Sequence, residues 1–238
     1  MAVSNKEYTE LKTSRFERKF VIERGGVPYV EHIVRMNRNA FRPVFYERQI
    51  NNIYFDTPNL RNYYDNHFGK SKRVKVRIRW YGDTFGKVER PILEFKIKTG
   101  AVGRKLSFPL TGFTLEKDIS KKALQDLFKN SNLPEWVVNE VFYFIPTLVN
   151  TYKRKYYVSF DNLFRFTIDH HMEYYNIKTD HSMFIEKSSQ PEIVVLELKY
   201  DMENDTKVGK VTSSLPFRLN KFSKYVNGIE SFNSHLAV

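Results

Sequence analysis

The 238-residue chain contains no cysteine. That excludes a disulfide framework and a thiolate metal site. No stretch approaches 18 apolar residues, so no transmembrane helix is expected. The opening Met1-Ala2-Val3-Ser4-Asn5-Lys6-Glu7 lacks an apolar run, so no signal peptide is read there. A cytoplasmic location is the resulting expectation. Neither a P-loop nor Gly-x-Gly-x-x-Gly occurs, and Gly25-Gly26 leads into no Lys-Ser or Lys-Thr. The common nucleotide-binding loops are therefore excluded. The six His show no His-x-His or His-x-x-Glu-His spacing. In His170-His171 the two rings should point to opposite faces of a strand, which favours a turn or surface role over a metal pair. There is no internal repeat and no long linker.

What is present is positive charge and aromatic bulk. The formal net charge is +12 and the pI about 9.6. Such a chain attracts polyanions: nucleic acid, anionic lipid, nucleotides or phosphate chains. Hydrophobic residues make up 41%, with 20 Phe and 15 Tyr, so a folded core is expected rather than disorder.

Period-two patterns dominate. Strands are expected at Thr13 to Ile22, Gln49 to Phe55, Lys72 to Tyr81, Ile92 to Thr99, Gly103 to Leu110, Leu148 to Phe160, Leu163 to Asp169 and Ile193 to Tyr200. Helical spacing marks Pro28 to Arg38, Leu60 to His67, Ser120 to Lys129 and Pro134 to Phe144, the last with Trp136, Val137 and Val141 inward. Glu186 to Glu192 reads as a mobile loop, and Trp80 and Trp136 as core. About eight strands fit an antiparallel barrel or strongly curved sheet, an α+β fold. Residues 1–238 are expected to form one domain, with 1–12 as a flexible tail.

The polar faces of these strands share a composition. Arg15, Glu17 and Lys19 lie on one side of the first. Lys75, Arg77 and Arg79 lie on another, and Glu94, Lys96 and Lys98 on the next. Tyr152, Arg154 and Tyr156 follow, then Arg165, Thr167 and Asp169, then Glu197 and Lys199. One such strand is more often a solvated outer face. Glu94 with Lys96, or Glu197 with Lys199, could simply pair across strands. The repetition of Arg and Lys argues for one shared cationic surface. Enclosed cations cost several kcal/mol each unless neutralised, so such a tunnel suits a phosphate chain better than it suits stability. The sparse carboxylates Glu17, Glu94, Asp169 and Glu197 could hold a hard divalent ion that shares its ligands with phosphate. A basic, Tyr-flanked patch of Lys70, Lys72, Arg73, Lys153 and Lys155 could bind single-stranded nucleic acid, but solvated faces are the commoner outcome.

In order along the chain, several segments resemble the VTC domain of the triphosphate tunnel metalloenzyme (CYTH-like) superfamily. They are Arg15-Phe16-Glu17-Arg18-Lys19, Asn52-Ile53-Tyr54-Phe55-Asp56-Thr57, Lys75-Val76-Arg77-Ile78-Arg79 and Leu93-Glu94-Phe95-Lys96. Tyr152-Lys153-Arg154, Arg165-Phe166-Thr167-Ile168-Asp169, Leu196-Glu197-Leu198-Lys199 and Ser223-Lys224-Tyr225 complete the series. The resemblance implies a mainly antiparallel eight-stranded β-barrel, or tunnel, with helices packed outside. It implies a polyphosphate polymerase that moves the γ-phosphate of ATP onto a growing chain with Mn²⁺ or Mg²⁺. Lys19, Arg77, Arg79, Lys96, Arg154 and Lys224 would grip phosphates, and Tyr152 and Ser223 would hydrogen-bond them. Glu197 would be the main metal ligand. Arg15, Lys75, Lys98, Arg165 and Lys199 complete the expected substrate-binding set. The wider superfamily opens with Glu-x-Glu-x-Lys, whereas Arg15 stands where the first Glu would be. That favours the polymerase over a triphosphate hydrolase of the same fold. A non-catalytic polyphosphate or inositol-phosphate binding module is the remaining alternative, and nucleic acid is a distant one.

Overall fold

The computed structural model describes residues 9–13, 15–100, 102–116, 120–178, 183–233 and 236. Among them ten strands form one antiparallel sheet. They are β1 (Thr9–Thr13), β2 (Arg15–Ile22), β3 (Arg42–Asp56), β4 (Lys72–Tyr81), β6 (Ile92–Thr99), β7 (Val102–Pro109), β9 (Ile145–Val158), β10 (Phe164–Lys178), β11 (Met183–Gln190) and β12 (Val194–Asp201). The ladder order is β1-β7-β6-β4-β3-β9-β10-β12-β2, with β11 added to β10. A small second sheet pairs β5 (Gly86–Val88) with β8 (Phe113–Leu115). Among the described residues six helices accompany them: α1 (Gly26–Arg35), α2 (Arg61–His67), α3 (Lys121–Asn130), α4 (Glu135–Val141), α5 (Val208–Thr212) and α6 (Lys224–Glu230). A 3₁₀ turn, Met202–Lys207, precedes α5. No helix among the described residues is long and apolar enough to cross a membrane.

The expected eight-stranded closed barrel is corrected in two respects. The sheet has more strands, and its hydrogen-bonded ladder does not close among the described residues. It is tunnel-like all the same. Its two end strands, β1 and β2, are consecutive in the chain. Lys96 on β6 and Glu17 on β2 stand far apart in the ladder, yet Lys96 Nζ lies 3.3 Å from Glu17 Oε2. The sheet therefore curls until its polar faces meet.

Alternation explains why it curls this way. On β4, Val76, Ile78 and Trp80 are buried outward while Lys75, Arg77 and Arg79 face in. The outward apolar face is covered by helices. Leu124, Leu127 and Phe128 of α3, with Val137 and Val141 of α4, pack on Val76, Ile78, Leu93, Phe95 and Phe108. Val30 and Val34 of α1, with Val208 and Val211 of α5, pack on Phe166, Leu196 and Leu198. Each such buried side chain stabilises the fold by about 1.5–3 kcal/mol. A third cluster lies on the concave side. There α6 delivers Tyr225 and Ile229 onto Tyr54, Leu148, Tyr152 and Tyr174. One end of the concavity is thus apolar, and the rest carries charge.

Other expectations also change. Residues 9–13 pair with β7, within the stretch 1–12 expected as a flexible tail; residues 1–8 lie outside the described ones. Glu186 to Glu192 is mostly strand, because β10 continues to Lys178 and backbone pairing recruits the polar β11. Trp136 is 48% exposed: Val137 and Val141, four residues apart, define the buried stripe of α4, and Trp136 lies to one side of it.

Candidate functional site

Charged side chains of β2, β4, β6, β7, β9, β10 and β12 converge inside the curved sheet. Two buried carboxylates organise them. Glu94, only 2% exposed, meets Arg77 at 2.7 Å, Arg79 at 3.1 Å and Lys105 at 2.6 Å. Burial alone would raise its pKa, but Arg77, Arg79 and Lys105 hold it down at about 2. Asp169 is fully buried and accepts both Arg154 Nε at 2.5 Å and Arg154 Nη2 at 2.7 Å. Lys224 Nζ, from the first residue of α6, reaches the same carboxylate at 2.5 Å. Burial would raise the Asp169 pKa, and Arg154 and Lys224 keep it below the ordinary value. Glu94 and Asp169, expected as less certain metal ligands, are thus each committed to cations.

Glu197 differs. Lys199 Nζ lies 3.1 Å from it and Arg154 Nη2 3.6 Å. The Glu17 carboxyl is within hydrogen-bonding reach. Burial raises its pKa, but Lys199 and Lys19 outweigh that and hold it well below the carboxylate range. Lys19 Nζ sits 2.8 Å from Glu17 and donates to the Phe222 carbonyl at 3.0 Å. Thr167, cross-strand from Glu197, has a buried hydroxyl with no hydrogen-bond partner among the described residues. Glu197, Glu17 and Thr167 thus bring oxygen donors to one corner, beside the Lys199, Arg154 and Lys19 cations. No cluster of three His, Asp or Glu exists among the described residues.

The remaining predicted residues are placed as follows. Lys75 Nζ donates to Ser223 Oγ at 2.7 Å. Its pKa is pushed well down, by burial first and then by Lys19 and Lys96. Lys98 is also lowered, by burial and then by Arg73 and Lys96. Tyr152 is buried with the Lys224 ammonium 4.4 Å and the Arg154 guanidinium 5.3 Å from its ring centre. Arg15 pairs with Asp201 at 2.9 Å and is half exposed. Arg165, exposed, stands opposite Lys199 in register.

Two concave residues escaped the sequence reading. Lys105 alternates with Leu106 and Phe108, the same signal that marked β4, and joins Glu94. Arg48 was hidden by a bulge in β3, where the register against β9 shifts between Phe45 and Arg48. The His pair is corrected too. A register shift in β10 and a left-handed His171 (φ 50°) turn both rings to one side, with their Nδ1 atoms 2.6 Å apart. The suggested basic patch is not one unit, since Lys155 pairs with Glu31 and Lys70 with Asp65.

The sequence matches the VTC domain over residues 14–233. The chain belongs to the VTC domain family. Nothing among curated proteins matches it. One similar solved structure is a Bacillus halodurans protein described as a candidate adenylate cyclase. It is 14% identical, with a TM-score of 0.50, covering 91% of this chain and 97% of that one. A Vibrio parahaemolyticus protein described in the same way is 10% identical, with a TM-score of 0.47, covering 94% and 98%. The Bacillus likeness shows that the VTC domain here has that protein's fold.

Proposed function

We propose that this VTC domain is a metal-dependent phosphotransferase that adds the γ-phosphate of ATP to a growing inorganic polyphosphate chain inside the curved sheet. The observation that carries the reading is Lys75. Its amine is half-buried against Ser223, and its charge is disfavoured first by burial and then by the neighbouring cations Lys19 and Lys96. Even with Glu17, Glu94, Asp169 and Glu197 present, cations crowd one another there. A chain of phosphates relieves that crowding, and few other ligands would.

Glu197, with Glu17 beside it, would hold Mg²⁺ or Mn²⁺. The ion would supply charge neutralisation on phosphate oxygens. The protein's own groups do the positioning. Asp169 fixes the Arg154 guanidinium and the Lys224 ammonium in one orientation, and Glu94 fixes Arg77 and Arg79. Arg79 retains a buried Nε–H without an acceptor among the described residues, ready for a phosphate oxygen. Lys96, more exposed, and Lys19 add point charges. Phosphoryl transfer through a loose transition state needs such positioning and neutralisation rather than covalent help. The acceptor, a terminal phosphate, is already anionic and needs no general base.

Incubation with ATP and Mn²⁺, resolved on a gel for long phosphate chains, tests the proposal. Long chains are expected. Orthophosphate alone would identify a hydrolase, and neither product with tight polyanion binding would identify a binding module.

A further inference from the structure

Where the β3 bulge inserts Tyr46 and Glu47, four aromatic rings gather around one guanidinium. The Arg48 Cζ lies 4.6 Å from the ring centre of Phe45, 5.2 Å from Tyr46, and 5.7 Å from both Tyr81 and Tyr156. The Arg48 Nε is buried and has no hydrogen-bond partner among the described residues. The rings are nevertheless open to solvent: Tyr46 is 78% exposed and Phe45 52%. Exposed aromatic surface of this kind around an unsatisfied donor marks a binding face.

This rim is continuous with the cationic concavity. Arg48 stands opposite Arg154 in register, and Arg79 lies 5.5 Å from the Tyr81 ring. Tyr81 and Tyr156 continue the inward-facing rows that carry Arg79 and Arg154. The bulge is braced as well. Glu47 Oε2 lies 3.0 Å from His170 Nε2, so the irregular turn of β3 is tied to that of β10. Bulges beside sites commonly re-aim side chains in this way.

We infer that this rim is a stacking platform for the base of a nucleoside triphosphate whose phosphates lie among Arg79, Arg154 and their neighbours. The inference rests on the proposed phosphate site and deepens it by assigning the residues that take the base of the nucleotide. A base is the flat, apolar-faced group that a nucleotide places just beyond its phosphates. The exposed Phe45 and Tyr46 rings would hold it by stacking, with the Arg48 guanidinium adding cation–π attraction from within the cluster. Stacking reads a π-face rather than a particular edge, so adenine and guanine should bind alike.

Calorimetric titration of the full chain with ATP, GTP and inorganic triphosphate provides the test, on wild type and on the double variant Phe45→Ala, Tyr46→Ala. Both side chains are exposed, and an unchanged melting temperature verifies the fold. The expected result is a loss of roughly tenfold or more in ATP and GTP affinity with triphosphate affinity unchanged. Unchanged ATP affinity, or an equal loss for ATP and triphosphate, overturns the platform. Failure of triphosphate to bind the wild type overturns the phosphate site itself, and the platform falls with it.

Discussion

Lys75 Nζ donates to Ser223 Oγ at 2.7 Å, joining β4 to the start of α6. The same hydroxyl caps that helix by accepting the Val226 N–H. The contact satisfies Lys75 without charge, which matters because burial, Lys19 and Lys96 drive its pKa down. A bound polyanion reverses that pressure, so binding should take up a proton. Affinity for inorganic triphosphate should hold below the free-state pKa of Lys75 and fall as pH rises through it. Titration in two buffers of different ionisation enthalpy reads the uptake directly. It should be present in the wild type and reduced in Lys75→Met.

Glu94 predicts acid sensitivity. Its pKa is held at about 2 against an ordinary 4.5, so it stabilises the fold fully above 4.5. That stability is lost as pH falls from 4.5 toward 2. By linkage it amounts to roughly 3 kcal/mol. Urea unfolding between pH 7 and pH 3 should therefore show a steeper loss for wild type than for Glu94→Gln.

Lys96 and Arg154 carry the same expected role in the sequence but differ in the fold. Lys96 is largely exposed, and Lys96→Ala should weaken triphosphate binding with little change in melting temperature. Arg154→Ala strips the fully buried Asp169 of its bidentate partner. Breaking a buried pair costs about 3–5 kcal/mol, so a drop on the order of 10 °C is expected. Scanning calorimetry of both variants separates the two. Equal melting temperatures would show that Asp169 does not depend on Arg154.

Glu197→Gln tests the metal assignment by two readouts. Mn²⁺ should raise the melting temperature of wild type in the presence of triphosphate, and that increment should vanish in the variant. Polyphosphate synthesis from ATP should fall at least about tenfold. Wild-type behaviour in both assays would remove Glu197 as a ligand.

Gly228 is a packing requirement. A Cβ there would come within 2.4 Å of Leu148 Cδ2 and 2.5 Å of Tyr174 Cδ1. Gly228→Ala should cost about 1–3 kcal/mol, seen in thermal melting, and should weaken triphosphate binding by displacing Ser223 and Lys224 with α6.

How much of this was legible in the sequence follows from what repeats every two residues. Val76, Ile78 and Trp80 against Lys75, Arg77 and Arg79 assign both faces of β4, since side-chain direction on a strand is fixed by position alone. The same alternation marks Glu94, Arg154, Asp169 and Glu197 as inward. It fails where a strand is irregular. The bulges at Phe45/Arg48 and His170/Glu173 shift the count, so the Arg48 rim and the converging His pair could not be read. It fails again at β11, whose strand character comes from backbone pairing to an extended β10.

Most strands, their two faces and the excess of positive charge are properties of neighbours along the chain, and so could be read from it directly. Which cations each carboxylate meets is a matter of the assembled sheet. Glu94 and Asp169 are each held by cations from other strands and from α6, whereas Glu197, paired with Lys199 and Arg154, also lies beside Glu17 and a Thr167 hydroxyl without a partner among the described residues. Charge pairing depends on distances of a few ångströms between residues far apart in sequence, and no spacing along one chain encodes them.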